Sequence, residues 1–197
     1  MWLRDEQVSY DPQMAIVDSF ALPVCHFAGA KRSRLFRGEA AYGWDHTQKQ
    51  AFYGFQVHVC VGLSGVLTRV CLTAGNVAEG EVVLDLTEGT RGLLLGVRNY
   101  WLPDLKGVLR DLGIRLQTPF KKASSPLARL FHSRVLTRVR YRIETVFSQF
   151  FGRIGIRHVW ARDTWHLRNR LLRGMLMHTL CILFNQFEGH GPFNLLL

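Results

Sequence analysis

The chain has 197 residues, enough for one domain with a substantial buried core. A content of 48% apolar and 20% charged residues excludes a disordered polymer and is typical of a folded globular protein. The first ten residues are polar, so no secretory signal is expected there, and the most apolar stretch, 175–187, is too short to cross a bilayer.

The net charge of +10 is unevenly distributed. Residues 1–120 hold 12 basic and 12 acidic side chains, whereas residues 121–197 hold 13 basic and only three acidic ones. A basic half after a neutral half indicates a polyanionic partner, most simply nucleic acid. A solvated basic surface, or a fragment separated from an acidic segment, would give the same balance.

The first predicted element is a short buried strand, 14–18, which ends in Asp18. Strand ends are where a sheet presents its chemistry, which makes Asp18 a candidate site residue. An aspartate at this position could equally be a turn or cap residue. The basic run 31–37 has glycines at its edges and is interpreted as a loop, either solvated or in contact with phosphates.

Two strands, 52–62 and 65–73, are predicted to form a hairpin with a tight turn at residues 63–64. In that register His58 lies opposite Arg69, which favours a structural polar pair over a catalytic base.

The cysteines are scattered, and the hairpin register places Cys60 opposite Leu67, so no disulfide is expected across it. A zinc site at Cys25 and His26 would need a second pair of ligands at suitable spacing. All four are therefore interpreted as reduced packing residues of a cytosolic protein: Cys25, Cys60, Cys71 and Cys181.

The next segments alternate between helices and strands. The patterns predict a helix over 78–89, a strand over 92–97, a helix over 99–112, a strand over 114–120 and a basic linker over 122–134. Three strands followed by alternating helices and strands predict an α/β fold, with a ribonuclease-H-like mixed sheet of about five strands flanked by helices.

A helix is predicted over 138–154, with apolar residues at helical spacing. Glu144 borders its apolar stripe, and Arg140, one turn earlier, is placed to pair with it or orient it. A carboxylate beside a core-facing stripe suggests a metal or phosphate site, although most glutamates on such helices are solvated or salt-bridged.

A last helix is predicted from residue 163 or 164, with Arg168, Arg170 and Arg173 on its polar side. Its inward residues are predicted to be Leu172, Met175, Leu176, Thr179, Leu180 and Leu183.

Five segments together resemble the DDE transposases of bacterial insertion sequences, most closely the insertion-sequence nine-eight-two type. They are IVDSFALPVC (16–25), FRGEAAYG (36–43), FYGFQVH (52–58), GVRNYW (96–101) and RIETVF (142–147). The segments occur in the family's order and span most of the chain.

The resemblance implies a ribonuclease-H-like catalytic domain that cleaves and joins DNA strands, with two aspartates and a glutamate holding two Mg²⁺ ions. It assigns the first aspartate to Asp18, the glutamate to Glu144 and the arginine one turn before it to Arg140. The second aspartate is missing, because Val97 stands where the family's G-D-R-N-Y segment has it. Asn99 offers only a neutral carbonyl, which is a poor replacement, so weak occupancy by Mg²⁺ is expected.

The resemblance also implies DNA partners, namely the inverted-repeat ends and the target, a location at the bacterial nucleoid in the cytoplasm, no membrane and a homodimer. We expect one domain over 1–197, with a core over about 14–155 and a basic helical part over about 156–187. Only about fifteen residues precede the first strand, so the family's N-terminal DNA-binding domain is expected to be missing. The basic face expected to contact DNA comprises Arg134, Arg138, Arg140, Arg142, Arg157, Arg168 and Arg170.

Three hypotheses remain open at this stage. The first is a transposase domain that is weak or inactive, and the second is a non-catalytic DNA-binding remnant. The third, an active nuclease of the same fold with an unrelated role, is the least favoured because it needs the same acids.

Overall fold

The computed structural model describes residues 13–96, 98–100, 103–118, 134–157, 160–192 and 194, with no side-chain description for 98, 103 and 134–140. Its strands are β1 (Met14–Pro23), β2 (Ala41–Asp45), β3 (Gln50–Gly62), β4 (Leu67–Ala74), β5 (Gly92–Gly96) and β6 (Ile114–Gln117). Its α-helices are α1 (Val83–Thr87), α2 (Pro103–Asp111), α3 (Arg134–Gly152) and α4 (Thr164–Phe187). The predicted linker, 122–134, lies almost wholly outside the described residues.

The strands form one mixed sheet around β1 and β3. β3 is antiparallel to β1, β2 and β4, whereas β5 is parallel to β1 and β6 is parallel to β5. This mixed sheet, flanked by helices, confirms the predicted ribonuclease-H-like α/β architecture. β2 was not predicted, because Tyr42 and Trp44 alternate outward and are exposed, leaving no buried apolar pattern to recognise.

Each face of the sheet carries its own core. Side chains alternate along β1, so Ile16 and Phe20 face a cluster that includes Ile143 of α3. Val17 faces the opposite cluster, with Tyr100. β1 is therefore a central strand that is buried on both sides.

The predicted hairpin register is wrong by two residues. His58 pairs with Cys71, and Cys60 pairs with Arg69. The connection is a three-residue loop, in which Gly62 N–H donates to Val66 O and Gly65 has a φ of +88°. Such loops commonly need glycine in the left-handed region. A bulge between Cys60 and Val61 adds the second shift.

The described cysteines are free, as expected. The hydrogen bond of His58 Nε2 is to the Thr73 hydroxyl, at 2.9 Å, and not to Arg69. The prediction that His58 is a structural polar residue therefore survives with a different partner.

The last helix begins at Thr164, as predicted, and the Asp163 carboxylate caps it by accepting a hydrogen bond from His166 N–H at 2.9 Å. Its predicted inward face is wrong for Leu172 and Leu176, which are 56% and 52% exposed. The inward residues are Leu167, Leu171, Gly174, His178, Ile182, Leu183 and Asn185.

Close packing selects this inward face. A Cβ at Gly174 would lie 3.1 Å from the Ile154 side chain, so the glycine allows the close approach. His178 forms a buried 2.9 Å hydrogen bond with Gln149 of α3. Because both faces of α4 are rich in apolar residues, helical periodicity alone could not distinguish them.

Candidate functional site

Asp18 lies on β1 at the point where pairing with β5 stops. β1 continues to Pro23, so the expectation that the strand ends at Asp18 is wrong. Its parallel neighbour ends at Gly96, which pairs with Val17. Asp18 is half-buried, and its Oδ1 accepts a hydrogen bond from Ser19 N–H at 2.8 Å. The carboxyl end of a parallel strand beside a central strand is a place where α/β sheets bind ligands.

Glu144 lies on α3, which packs against the face of β1 that carries Asp18. The Phe20 ring contacts Phe147 and Phe151 edge to face, with centroids 5.2 and 5.0 Å apart. Phe20 is two residues beyond Asp18 in the strand, and Phe147 is one turn beyond Glu144 in the helix. The side chain of Glu144 is exposed, whereas that of Ile143 beside it is fully buried. The two candidate acids are thus carried by packed elements on one side of the sheet.

Val97 directly follows the last residue of β5 and lies outside the described residues. Arg140 lies on α3 among the residues whose side chains are not described. The predicted arrangement around these two residues therefore stays a prediction.

The opposite side of the sheet carries an acid that sequence reasoning missed. Glu79 Oε1 accepts a hydrogen bond from Asn99 Nδ2 at 3.0 Å and another from the Ser19 hydroxyl at 3.4 Å. Gln56 Nε2 donates to the same hydroxyl at 2.9 Å. Glu79 therefore ties the segment after β5 to β1. The available signal was that Ser19 shares a strand face with buried Val17. This spacing predicts a polar residue on the face of β1 away from Asp18.

Tyr100 is a fully buried aromatic residue beside this polar network. A Cβ at Gly96 would lie 2.8 Å from Tyr100 Cβ, so only glycine lets the ring pack against the end of β5. Burial raises the pKa of Tyr100 well above its usual value, and the negative charges of Asp18 and Glu79 raise it further. The Ser19 side chain lowers the pKa of Tyr100 and so offsets part of this rise. The phenol stays protonated.

Burial has the opposite effect on a neighbouring histidine. Desolvation lowers the pKa of His58 to about 4, although the charge of Glu79 partly opposes it. The ring is neutral near pH 7 and is held by Thr73. This supports a structural role for His58.

A family profile described as "Transposase DDE domain" matches residues 9–164, most of the chain. The chain belongs to the DDE transposase domain family. No curated protein gives a significant match to the chain. Transposase domains act on DNA, and the DDE family generally uses divalent metal ions.

The described residues of this transposase domain do not by themselves fit a metal centre. Within the described ranges, no three His, Cys, Asp or Glu side chains lie close enough together to hold an ion. Asp18 and Glu144 offer carboxylate oxygens, which suit a hard cation such as Mg²⁺. Glu79 lies on the other side of the sheet, where Asn99 and Ser19 engage it.

Several arginines expected to contact DNA also support the transposase fold. The guanidinium of Arg157 stacks over the Phe151 ring at 3.8 Å, and Arg142 donates to Leu63 O. Arg170 donates to Gly155 O at 3.3 Å and lies 5.4 Å from the Trp160 ring.

The remaining candidate arginines divide into two groups. Arg168 is exposed on the first half of α4, where a phosphate could reach it. The side chains of Arg134, Arg138 and Arg140 lie outside the description.

Among the described helices, none has the length and apolar character that a membrane span requires.

Proposed function

We propose that this chain is the catalytic domain of a bacterial insertion-sequence transposase of the nine-eight-two type, and that its DNA strand cleavage is impaired. The family match over residues 9–164 carries the proposal of a DNA substrate. The proposal of impairment rests on Val97, which offers no lone pair at the position where the resemblance expects the second aspartate. The expected substrates are the inverted-repeat ends and target DNA in the bacterial cytoplasm.

The arrangement around β1 supports this assignment of residues. Asp18 is the first residue of β1 beyond the described pairing with β5, and Val97 is the first residue after β5. Glu144 is on the helix that packs against the same side of β1 through Phe147. Asp18 and Glu144 would hold a divalent cation through carboxylate oxygens, whereas the isopropyl group of valine adds no ligand.

In this proposal, the polar network behind β1 supports the site without taking part in the chemistry. Glu79 fixes Asn99, two residues after Val97, through the 3.0 Å hydrogen bond. Asn99 is thereby engaged on the face of the sheet away from Asp18, which argues against it as a substitute for the missing carboxylate. The neutral Tyr100 phenol fills the space behind the end of β5.

The decisive experiment is a strand-cleavage assay on supercoiled plasmid in Mg²⁺. We expect little or no cleavage by the unmodified chain and an increase on the order of 10²-fold in the Val97→Asp variant, because the added carboxylate restores charge stabilisation of a few kcal/mol. Val97→Asn is the matched control of similar size without charge.

A second control removes one of the proposed acids. The double variant Val97→Asp/Asp18→Asn should be as inactive as the unmodified chain. Ordinary cleavage rates in the unmodified chain, or a gain in Val97→Asp that survives the loss of Asp18, would contradict the assignment.

A further inference from the structure

The outward face of α4 is apolar although α4 already buries its other face. Its exposed large apolar residues are Trp165, Leu172, Leu176, Met177, Phe184 and Phe187, with half-buried Leu180 among them. Leu176 and Phe184 are 52% and 62% exposed. We call this surface the outer face of α4. It lies opposite Leu171 and His178, which are buried against the rest of the domain.

The spacing of the outer face is that of a helix-pairing seam. Arg173, Leu176, Leu180, Phe184 and Phe187 succeed one another at intervals of three or four residues, as in helices that pack side by side. A helix that is apolar all round is expected to be covered on all sides. α4 has 24 residues, so the seam can extend over about 36 Å.

The charges along this face favour one kind of occupant. Arg173 is exposed near the middle of the helix, and its Nε donates to Asn169 O of its own helix, at 3.3 Å. Glu188 is exposed at the C-terminal end. Leu180 lies midway between them. A two-fold axis near Leu180 would place Arg173 of each copy beside Glu188 of the other and Leu176 beside Phe184, since a two-fold interface exchanges the two halves of one surface.

We infer that the outer face of α4 binds a second copy of this chain, with the two helices antiparallel and crossing near Leu180. The apolar seam supplies the contact area, and the reciprocal Arg173–Glu188 pairs fix the direction and register of the helices. Antiparallel packing also opposes the two helix dipoles.

Sedimentation equilibrium of the whole 197-residue chain over about 1–200 µM tests this inference. We expect a monomer–dimer equilibrium for the unmodified chain. Arg173→Glu and Glu188→Arg should each weaken it about tenfold, because like charges would then face each other. The double variant Arg173→Glu/Glu188→Arg should restore the affinity to within about threefold, because the pair is re-formed with reversed signs.

A chain that stays monomeric at every concentration would overturn the inference, and so would a dimer that the charge reversals leave unchanged. Failure of the double variant to regain affinity would overturn the antiparallel register. Both substituted side chains are exposed, and circular dichroism checks that each variant remains folded.

A cross-linking measurement gives an independent readout of the register. In a Leu180→Cys variant, the two introduced thiols would lie near the two-fold axis, and mild oxidation should give a covalent dimer that the unmodified chain does not form. Leu112→Cys, at a residue that is 57% exposed and distant in sequence from α4, is the matched control and should stay monomeric. Equal cross-linking of the two variants would contradict the proposed contact.

Discussion

At the scale of single residues, burial decides which polar groups are available for chemistry. Asp18 is half-buried and Glu144 is exposed, whereas His58 and His178 are fully enclosed and neutral. Desolvation lowers the pKa of both histidines to about 4, from an ordinary value of 6.5. These rings serve the fold through hydrogen bonds to Thr73 and Gln149.

The two buried histidines predict that stability decreases as the pH falls from 6.5 towards 4. The unfolded chain takes up protons below pH 6.5, but the folded chain takes them up only near pH 4, so acid favours unfolding across this window. We expect each histidine to contribute a loss of about 2 kcal/mol in the free energy of unfolding by pH 5. Urea denaturation at pH 7 and pH 5 measures the loss.

The matched variants separate this effect from general acid sensitivity. His178→Gln should lower stability at pH 7 and also reduce the pH dependence, because one of the two buried rings is gone. His46→Gln, at an exposed position, should retain the full pH dependence. An unchanged pH dependence in His178→Gln would contradict the account.

At the scale of elements, the contact between β1 and α3 determines where the two candidate acids lie. Phe20 is 6% exposed and packs against both Phe147 and Phe151. Arg157 covers the outer side of Phe151, which closes this aromatic cluster. The strand and the helix are therefore joined beside Asp18 and Glu144 by apolar packing.

Removal of the Phe20 ring should weaken this joint. We expect Phe20→Ala to lower the free energy of unfolding by about 3–5 kcal/mol, since a large buried ring is replaced by a cavity. Phe27→Ala, at a ring that is 50% exposed, is the control and should cost less than about 1.5 kcal/mol. Chemical denaturation compares the two variants, and equal losses would contradict the proposed joint.

The elements also show how far the sequence alone could lead. Strands β1, β3, β4, β5 and β6 were predicted because their apolar runs are bounded by turns and glycines. The hairpin register was wrong because Gly65 permits a three-residue loop and a bulge follows it. The apolar pattern of the two strands marks neither feature. The inward face of α4 was wrong because only tertiary contacts, such as His178 with Gln149, distinguish two apolar faces.

The candidate site was predictable only in part. Asp18 and Glu144 were predicted from a family resemblance and helical spacing, and their role stays a prediction. Glu79 was missed because its connection to Ser19 and Asn99 joins residues 60 and 20 positions apart. Local patterns contain no signal for contacts over such separations.

At the scale of the whole molecule, the excess of positive charge in residues 121–197 predicts electrostatic binding to DNA. We expect the affinity for duplex DNA to fall steeply with salt, with a slope of about 4 or more in a plot of log Kd against log salt concentration. The physical reason is the release of roughly one counterion per phosphate contact. Fluorescence anisotropy with a labelled duplex measures the slope.

A pair of variants locates the binding face. Arg142→Ala/Arg168→Ala should reduce the slope by about 2, because two proposed phosphate contacts would be lost. Arg110→Ala/Arg115→Ala changes the charge equally at exposed positions on α2 and β6, and should leave the slope nearly unchanged. Equal effects of the two double variants, or salt-insensitive binding, would contradict a basic DNA-binding face.

We propose that this transposase domain has two carboxylates at its catalytic centre where an active one has three. Mn²⁺ titration followed by electron paramagnetic resonance is the sharpest test of this proposal, because free Mn²⁺ gives a strong signal that weakens on binding. We expect weak Mn²⁺ binding by the unmodified chain, binding at least about tenfold tighter in Val97→Asp, and loss of that gain in Val97→Asp/Asp18→Asn. Equally tight binding by the unmodified chain and Val97→Asp would contradict it.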